Sequence, residues 1–451
     1  MSGWSFGSRV YGSAWATPAL RAIFDDLPRT RRWLDILAVL AEVQGEFGLI
    51  PAEGSRAVAA ACREVVLDDA FFAEFQAGYQ ATGHSTAGLI EAMRRRCPDI
   101  AGEWIYFGAT VQDITDSWLM LALGEARGHL LADLERAIAA TTRLCREHRD
   151  TVMPGRTHGQ QGLPITFGFK VASWLTEMLR HRQRFSEIAA RMGVGQLCGG
   201  VGSLSALGPR GLEVQRAFCA RLGLRPPDMS WTVSRDGIVE WAHLLVLAAG
   251  TADRIGHEVY SLQRDEIREV SEGTTGDQIG SITMPHKRNP EISEHLGTLS
   301  RVVRANASAL AESLPHGHER DGRSWKIEWH AVPELTMAAG KGLNLLAQML
   351  ESLEVHGERM RRNLEASGDH IYSEVIMLAL AAKVGKQTAH RLVHRVTGEA
   401  AHQGRALRQA ISDDMGISAH LPATEIDRLF DAALQTGQCG ALVDRVLKGQ
   451  E

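Results

Sequence analysis

Apolar residues recur at every third or fourth position over long stretches of this chain. Proline-free runs of this kind cover residues 114–149 and 165–192. A third begins near Asp236, where Ile238, Ala242, Leu245, Ala248, Ala252, Ile255, Val259 and Leu262 fall on one helical face. A fourth covers 291–314 and a fifth runs over about 334–364. Alternation with a period of two, the mark of a half-buried strand, is nearly absent. The pattern predicts an all-α chain, because helices of about 25 to 35 residues bury themselves laterally in a bundle. The third would be on the order of 50 Å long. On either side, Gly and Pro break the pattern into shorter helices. We expect boundaries near Phe107 and Val355: an N-terminal helical domain (1–106), a central long-helix domain (107–354) and a C-terminal helical domain (355–451). Apolar faces left over on such rods suggest association between chains.

Composition narrows the classes further. At 451 residues, 44% hydrophobic and 23% charged, the chain can bury large cores. A net charge of −5 gives no electrostatic footprint for nucleic acid, so an anionic ligand must be met by local cations. No apolar run approaches the roughly 20 residues of a membrane span, and no signal peptide is evident at the N-terminus. The cysteines Cys62, Cys97, Cys145, Cys198, Cys219 and Cys439 form no Cys-x-x-Cys pair and read as reduced thiols of a cytoplasmic protein.

One stretch departs from the helical pattern: Gly280-Ser281-Ile282-Thr283-Met284-Pro285-His286-Lys287-Arg288-Asn289-Pro290, with Glu291 and Glu294 beyond it. The preceding run, Glu272-Gly273-Thr274-Thr275-Gly276-Asp277-Gln278-Ile279, is too polar and glycine-rich for a core. A serine becomes a base only where cations and N–H groups stabilise its alkoxide. Lys287 supplies charge and Asn289 supplies donors, and the same groups suit a carboxylate whose neighbouring carbon loses a proton. The plainer alternative is a solvated turn ahead of a helix.

Two more segments carry candidate chemistry. In Gly108-Ala109-Thr110-Val111-Gln112-Asp113, at the entry to the first long helix, Thr110 can offer a hydroxyl and an N–H to an anion. Asp113 suits capping that helix, and capping alone is the structural alternative for both. Gly155-Arg156-Thr157-His158-Gly159-Gln160-Gln161 precedes the second long helix. An imidazole held by a carboxylate can carry a proton near neutral pH, although a lone histidine is more often structural. The glycines of 193–200 miss the dinucleotide spacing, and no phosphate-binding Gly-Lys-Ser/Thr loop exists. His316, His318 and Glu319 could suggest a metal, but a grouping of this kind on one turn arises readily by chance, and none is expected.

The loop string resembles the signature of the fumarase/aspartase superfamily, Gly-Ser-Ser-x-Met-Pro-x-Lys-x-Asn-Pro with a glutamate five residues after the asparagine. The resemblance implies that Ser281 is the general base and that Lys287 and Asn289 bind a substrate carboxylate. Thr157-His158 is similar to the family's Thr-His, which implies that His158 protonates the leaving group and pairs with Glu294. His84, in Thr82-Gly83-His84-Ser85, falls where adenylosuccinate lyases carry an active-site histidine. Thr110, Thr157, His84, Arg320 and Met284 complete the expected substrate-binding set. Ile282 and Val111 stand where the family usually has hydroxyl residues, which removes two donors. The family further implies a three-part plan with a central five-helix bundle. It implies a homotetramer with a twenty-helix core, with each active site combining loops from three subunits.

Within the superfamily, Thr17-Pro18 lacks the preceding arginine that adenylosuccinate lyases use on the nucleotide phosphate, and Trp325 and Trp329 stand at two more of their phosphate-contact positions. Two lost charge-assisted bonds weaken binding by on the order of a hundred- to ten-thousandfold, so adenylosuccinate is not the expected substrate. The segment from His318-Glu319-Arg320 to Trp325-Lys326-Ile327-Glu328-Trp329 instead resembles bacterial 3-carboxy-cis,cis-muconate cycloisomerases. Those enzymes usually carry a tryptophan where His158 stands. The expected activity is therefore β-elimination from a substituted succinate or related di- or tricarboxylate, with nitrogen or oxygen departing and no cofactor. Lactonising cycloisomerisation is the alternative, and a catalytically inactive binding homologue is a third reading.

Overall fold

The computed structural model describes residues 6–273, 283–284 and 286–449. The chain is mostly helical, and its backbone is organised by the long helices Val111–Glu147, Phe167–Met192, Asp236–Gln263, Glu291–Ala311 and Gly322–Ser352. Asp113, Asp236 and the pair Glu291 and Glu294 lie in first turns, where carboxylates complement the helix dipole. The eight apolar positions of the third run are all buried.

The fifth helix departs from expectation. It starts at Gly322, carries Pro333 inside and stops at Ser352. Trp325, Glu328, Ala331, Val332 and Leu335 are buried at helical spacing, so packing holds the helix through the proline despite its missing N–H. The helix ends because the chain then pairs as a strand: Glu354–Val355 lies antiparallel to Val270–Ser271, and His356 N donates to Glu269 O at 3.0 Å.

The hairpin Val152–Thr157/Gln160–Thr166 is a second departure, since no strand was expected there. His158 and Gly159 at its tip have φ of 52° and 74°. Two successive positive φ values form the kind of turn that matches strand twist, and glycine supplies one of them without strain.

The chain divides into two compact units, and each long helix lends a segment to both. One comprises Met1–Leu134, His181–Gly250 and Thr298–Asn344. In it, helix Asp69–Thr82 meets helix Ala87–Arg94 at Gly78 and Gly88, where a Cβ on Gly88 would stand 2.3 Å from Phe75 O. Its core includes Trp241, whose Nε1 donates to Thr336 Oγ1 at 3.0 Å, and a buried ionic cluster. Arg235 donates to Glu328 Oε1 at 2.7 Å and to Asp116 Oδ2 at 2.8 Å, all three side chains being at most 3% exposed.

The other unit comprises Glu135–Arg180, Thr251–Gly297 and Leu345–Glu451. Its C-terminal helices Ser373–Val384, Lys386–Gln403 and Leu407–Asp413 close around Ile376, Leu380, Val393, Leu407 and Ile411. The hairpin packs against helix Gly357–Ala366. All six cysteines are buried and unpaired.

Candidate active site

In the first unit, the chain entering helix Val111–Glu147 builds a polar cluster. Asp113 accepts from Thr110 N at 2.9 Å, which is a capping contact. It also accepts from Cys198 N at 2.8 Å and Gly199 N at 3.1 Å, fixing the glycine loop beside the helix start. Burial raises its pKa to about 6, outweighing these hydrogen bonds. Thr110 is 8% exposed, and the side chains of Thr110 and Thr86 both neighbour the phenol of Tyr106. Tyr106 has a φ of 62°, a strained conformation for an aromatic residue. Burial raises its pKa, so the phenol stays protonated, and Arg320 is one of its charged neighbours.

Arg320 precedes helix Gly322–Ser352, and its Nε and Nη2 are buried without a hydrogen-bond partner. Leaving a charged donor unpaired costs more than the roughly 1–3 kcal/mol of a neutral one, and an anion is the partner that would satisfy both atoms. Both ring nitrogens of His316 are likewise buried without partners. Burial and then Arg235 hold its pKa below the ordinary imidazole value, so the ring is neutral at neutral pH. His84 is exposed on the turn after helix Asp69–Thr82, its N–H bonded to Thr82 Oγ1 at 3.2 Å. Tyr106, Thr86 and the binding potential of His316 were not found by sequence reasoning. The proximity of Tyr106 to the Gly-Ala-Thr motif was the only available signal.

In the second unit, Thr157 and His158 are exposed at the hairpin tip. Arg156 fixes that hairpin by a two-pronged bond to the fully buried Glu269, at 2.8 and 2.6 Å, and Asn363 Nδ2 donates to the same carboxylate at 2.8 Å. Glu272 caps helix Glu291–Ala311, accepting from Ile292 N at 3.0 Å and Ser293 N at 2.7 Å. That cap sets the position of the helix start that follows Lys287 and Asn289. Lys287 is exposed, and its N–H donates to Met284 O at 2.9 Å. Asn289 Nδ2 reaches Glu291 Oε1 at 3.4 Å, and Met284 is 43% exposed. Glu294 lies in the first helical turn. His158 and Glu294 lie on separate elements, the hairpin tip and the first turn of helix Glu291–Ala311. Ser281 and Ile282 lie outside the described residues.

The first unit leaves two donors of Arg320 unpaired, and the second presents His158 on a fixed hairpin and Lys287 and Asn289 ahead of a helix. The class that the long-helix fold defines is a helical lyase. A family profile described as "Lyase" matches residues 13–305, and one described as "Adenylosuccinate lyase C-terminus" matches residues 369–446. The chain is 36% identical over 439 residues, 97% of its length and 96% of the relative's, to the N-acetyl-S-(2-succino)cysteine lyase of Dickeya dadantii. It is also 36% identical over 443 residues to the 3-carboxy-cis,cis-muconate cycloisomerase of Pseudomonas aeruginosa, covering 98% and 96% of the two chains. The crystal structure of 3-carboxy-cis,cis-muconate lactonizing enzyme from Pseudomonas putida superposes with a TM-score of 0.91 at 32% identity over 98% of each chain. The chain belongs to the fumarase/aspartase superfamily, a family of β-eliminating lyases.

Proposed function

We propose that this chain eliminates a substituent from a 2-substituted succinate and releases fumarate or a fumarate-like alkene. The observation that carries the reading is Arg320, whose Nε and Nη2 are buried without an acceptor near Tyr106. It supplies a seat for one carboxylate, and Lys287 with Asn289 supplies a second. Ser281 takes the proton from the carbon beside the carboxylate held by Lys287 and Asn289, and that carboxylate receives the charge as an aci-carboxylate. The bond to the departing atom then breaks, and His158, oriented by Glu294, gives that atom a proton. Thr157, His84 and Met284 border the substrate. Sites shared between subunits of a homotetramer would bring these groups together, and the 1–106, 107–354 and 355–451 division belongs to the same proposal.

The departing atom is sulfur in this reading. Two relatives, at 36% and 38% identity, are named for a lyase acting on N-acetyl-S-(2-succino)cysteine, a succinate substituted through sulfur. This widens the nitrogen or oxygen expected from sequence. The test is incubation with N-acetyl-S-(2-succino)cysteine while free thiol and fumarate are assayed together. Equimolar release that is lost in Ser281→Ala and reduced in Arg320→Met supports the proposal. Unchanged release in Ser281→Ala removes the base assignment.

The Trp325–Trp329 segment and the TM-score of 0.91 favour cycloisomerisation as the second reading. Loss of diene absorbance from 3-carboxy-cis,cis-muconate, without thiol release in the first assay, would select it. Failure of both, with ligand binding indifferent to Lys287→Met, would leave a binding homologue.

A further inference from the structure

The first unit contains a cavity of about 630 Å³ that the reaction as described does not use. Helix Asp26–Glu46 contributes Arg29 and Trp33, helix Asp69–Thr82 contributes Phe75, and the two long helices contribute Trp118 and Trp325. The rings interlock: Trp33 lies 6.0 Å from Trp118 and 6.4 Å from Phe75, at steep angles that leave ring faces toward neighbours. A wall of this kind suits a flat apolar group.

Among these apolar surfaces, three polar atoms are buried without a partner: Arg29 Nε, Trp33 Nε1 and Ser85 Oγ. Trp33 is itself only 7% exposed. Arg29 and Trp33 are one turn apart on the same helix face, with the guanidinium 5.5 Å from the indole ring centre. Both unpaired atoms are obligate donors, so the missing partner is an acceptor.

The charged groups around the cavity decide which acceptor. Asp26 is already bonded to Arg29, Asp69 stands exposed, and Asp116 and Glu328 are engaged by Arg235. Asp26 already balances the charge of Arg29, so a neutral carbonyl oxygen meets the two remaining donors without adding an anion beside that carboxylate.

Three segments tie this cavity to the anion seat. Thr86 neighbours Tyr106 and the adjacent Ser85 lines the cavity; Thr110 neighbours Tyr106 and Thr115, on the helix it enters, lines it; Arg320 has two unpaired donors and Trp325, on the helix it precedes, lines the wall. A ligand whose carboxylate meets Arg320 would have its far end beside these segments. We infer that the cavity holds the acyl group of an N-acylated leaving group. Its carbonyl oxygen accepts from Arg29 Nε and Trp33 Nε1, and the site selects aryl or bulky acyl groups over acetyl. This rests on the thioether-succinate reading for its substrate, although the cavity's binding preference can be measured without turnover.

The experiment is calorimetric titration of N-benzoylcysteine and N-acetylcysteine into the full-length protein and into Trp33→Phe and Arg29→Gln, each variant first checked for an unchanged melting curve. The added apolar area of phenyl over methyl predicts on the order of tenfold tighter binding of the benzoyl compound. Trp33→Phe removes a neutral bond and weakens that binding about fivefold, and Arg29→Gln removes a charged donor and weakens it about tenfold or more. Equal affinity for the two compounds, or benzoyl binding indifferent to both variants, overturns the inference. N-benzoyl-S-(2-succino)cysteine separates the two readings. Residue-dependent benzoyl binding without any thiol release retains the cavity and removes the lyase reading. Thiol release with kcat/KM independent of acyl size retains the lyase and removes the cavity's role.

Discussion

Replacing Arg235 by methionine is a stringent test of the buried core under the candidate site. The guanidinium is fully buried and makes bonds to Glu328 at 2.7 Å and to Asp116 at 2.8 and 3.1 Å. Methionine conserves much of the volume but leaves two carboxylates, 2% and 3% exposed, without a cation. Gln112 Nε2, 3.2 Å from Asp116, is too weak a substitute. Breaking a buried ion pair in this way costs about 3–5 kcal/mol. For a unit of this size that lowers Tm by about 10 °C. The loss has a definite pH dependence. Burial already holds the Glu328 pKa above its ordinary value with Arg235 present, and removing the cation pushes it higher. A folded-state pKa above the unfolded one gives stability that is present at low pH and lost as pH rises through the folded value. The deficit of Arg235→Met should therefore be largest near pH 8 and shrink towards pH 5 or so, as Glu328 protonates. Adding Asp116→Asn and Glu328→Gln to the same chain should recover most of the loss at high pH. Calorimetric melting curves across pH decide the matter. A variant that melts within about 2 °C of the wild type, or a deficit that does not change with pH, refutes the reasoning.

Three further outcomes follow from the geometry. Asp113→Asn should destabilise by about 1–3 kcal/mol near pH 4, where one acceptor of three N–H groups is lost. The native pKa of about 6 lies above the unfolded value, so the wild type loses this advantage as pH rises, and urea midpoints of the two proteins should converge by about pH 7. Arg156→Met removes the only two-pronged contact to Glu269 among the described residues and should cost about 3–5 kcal/mol; hydrogen exchange at 157–160 should quicken, and Arg156→Lys should restore less than half of it. Gly88→Ala places a Cβ 2.3 Å from Phe75 O, so helix Ala87–Arg94 must move off helix Asp69–Thr82; urea unfolding should register a loss of about 1–3 kcal/mol.

Much of the architecture is legible in residue spacing. The third run, from Asp236, ends within a residue of the observed helix because its apolar positions repeat without interruption and Asp236 starts it. The fifth run was misplaced because a proline was read as a break, whereas Trp325, Glu328 and Leu335 carry the helix through it by burial. The hairpin at 152–166 was missed because its strands carry Pro154, Gly155, Gly162 and Pro164 instead of an alternating pattern. Pairing with each other and packing on helix Gly357–Ala366 make them strands, and neither partner is local.

The same division holds for the site. Thr110, His158, Lys287 and Asn289 stood out because their chemistry is local: each sits in a short, unusual string at a helix entry. Local strings and helical periodicity are what a sequence by itself determines, since both depend on neighbours within a few positions. Tyr106 beside Thr86 and Arg320, the unpaired donors of Arg29 and Trp33, and the Arg235 cluster became visible only in the tertiary structure. Their meaning depends on which groups, hundreds of residues apart in some cases, share a low-dielectric interior, and on which polar atoms that packing leaves without a partner.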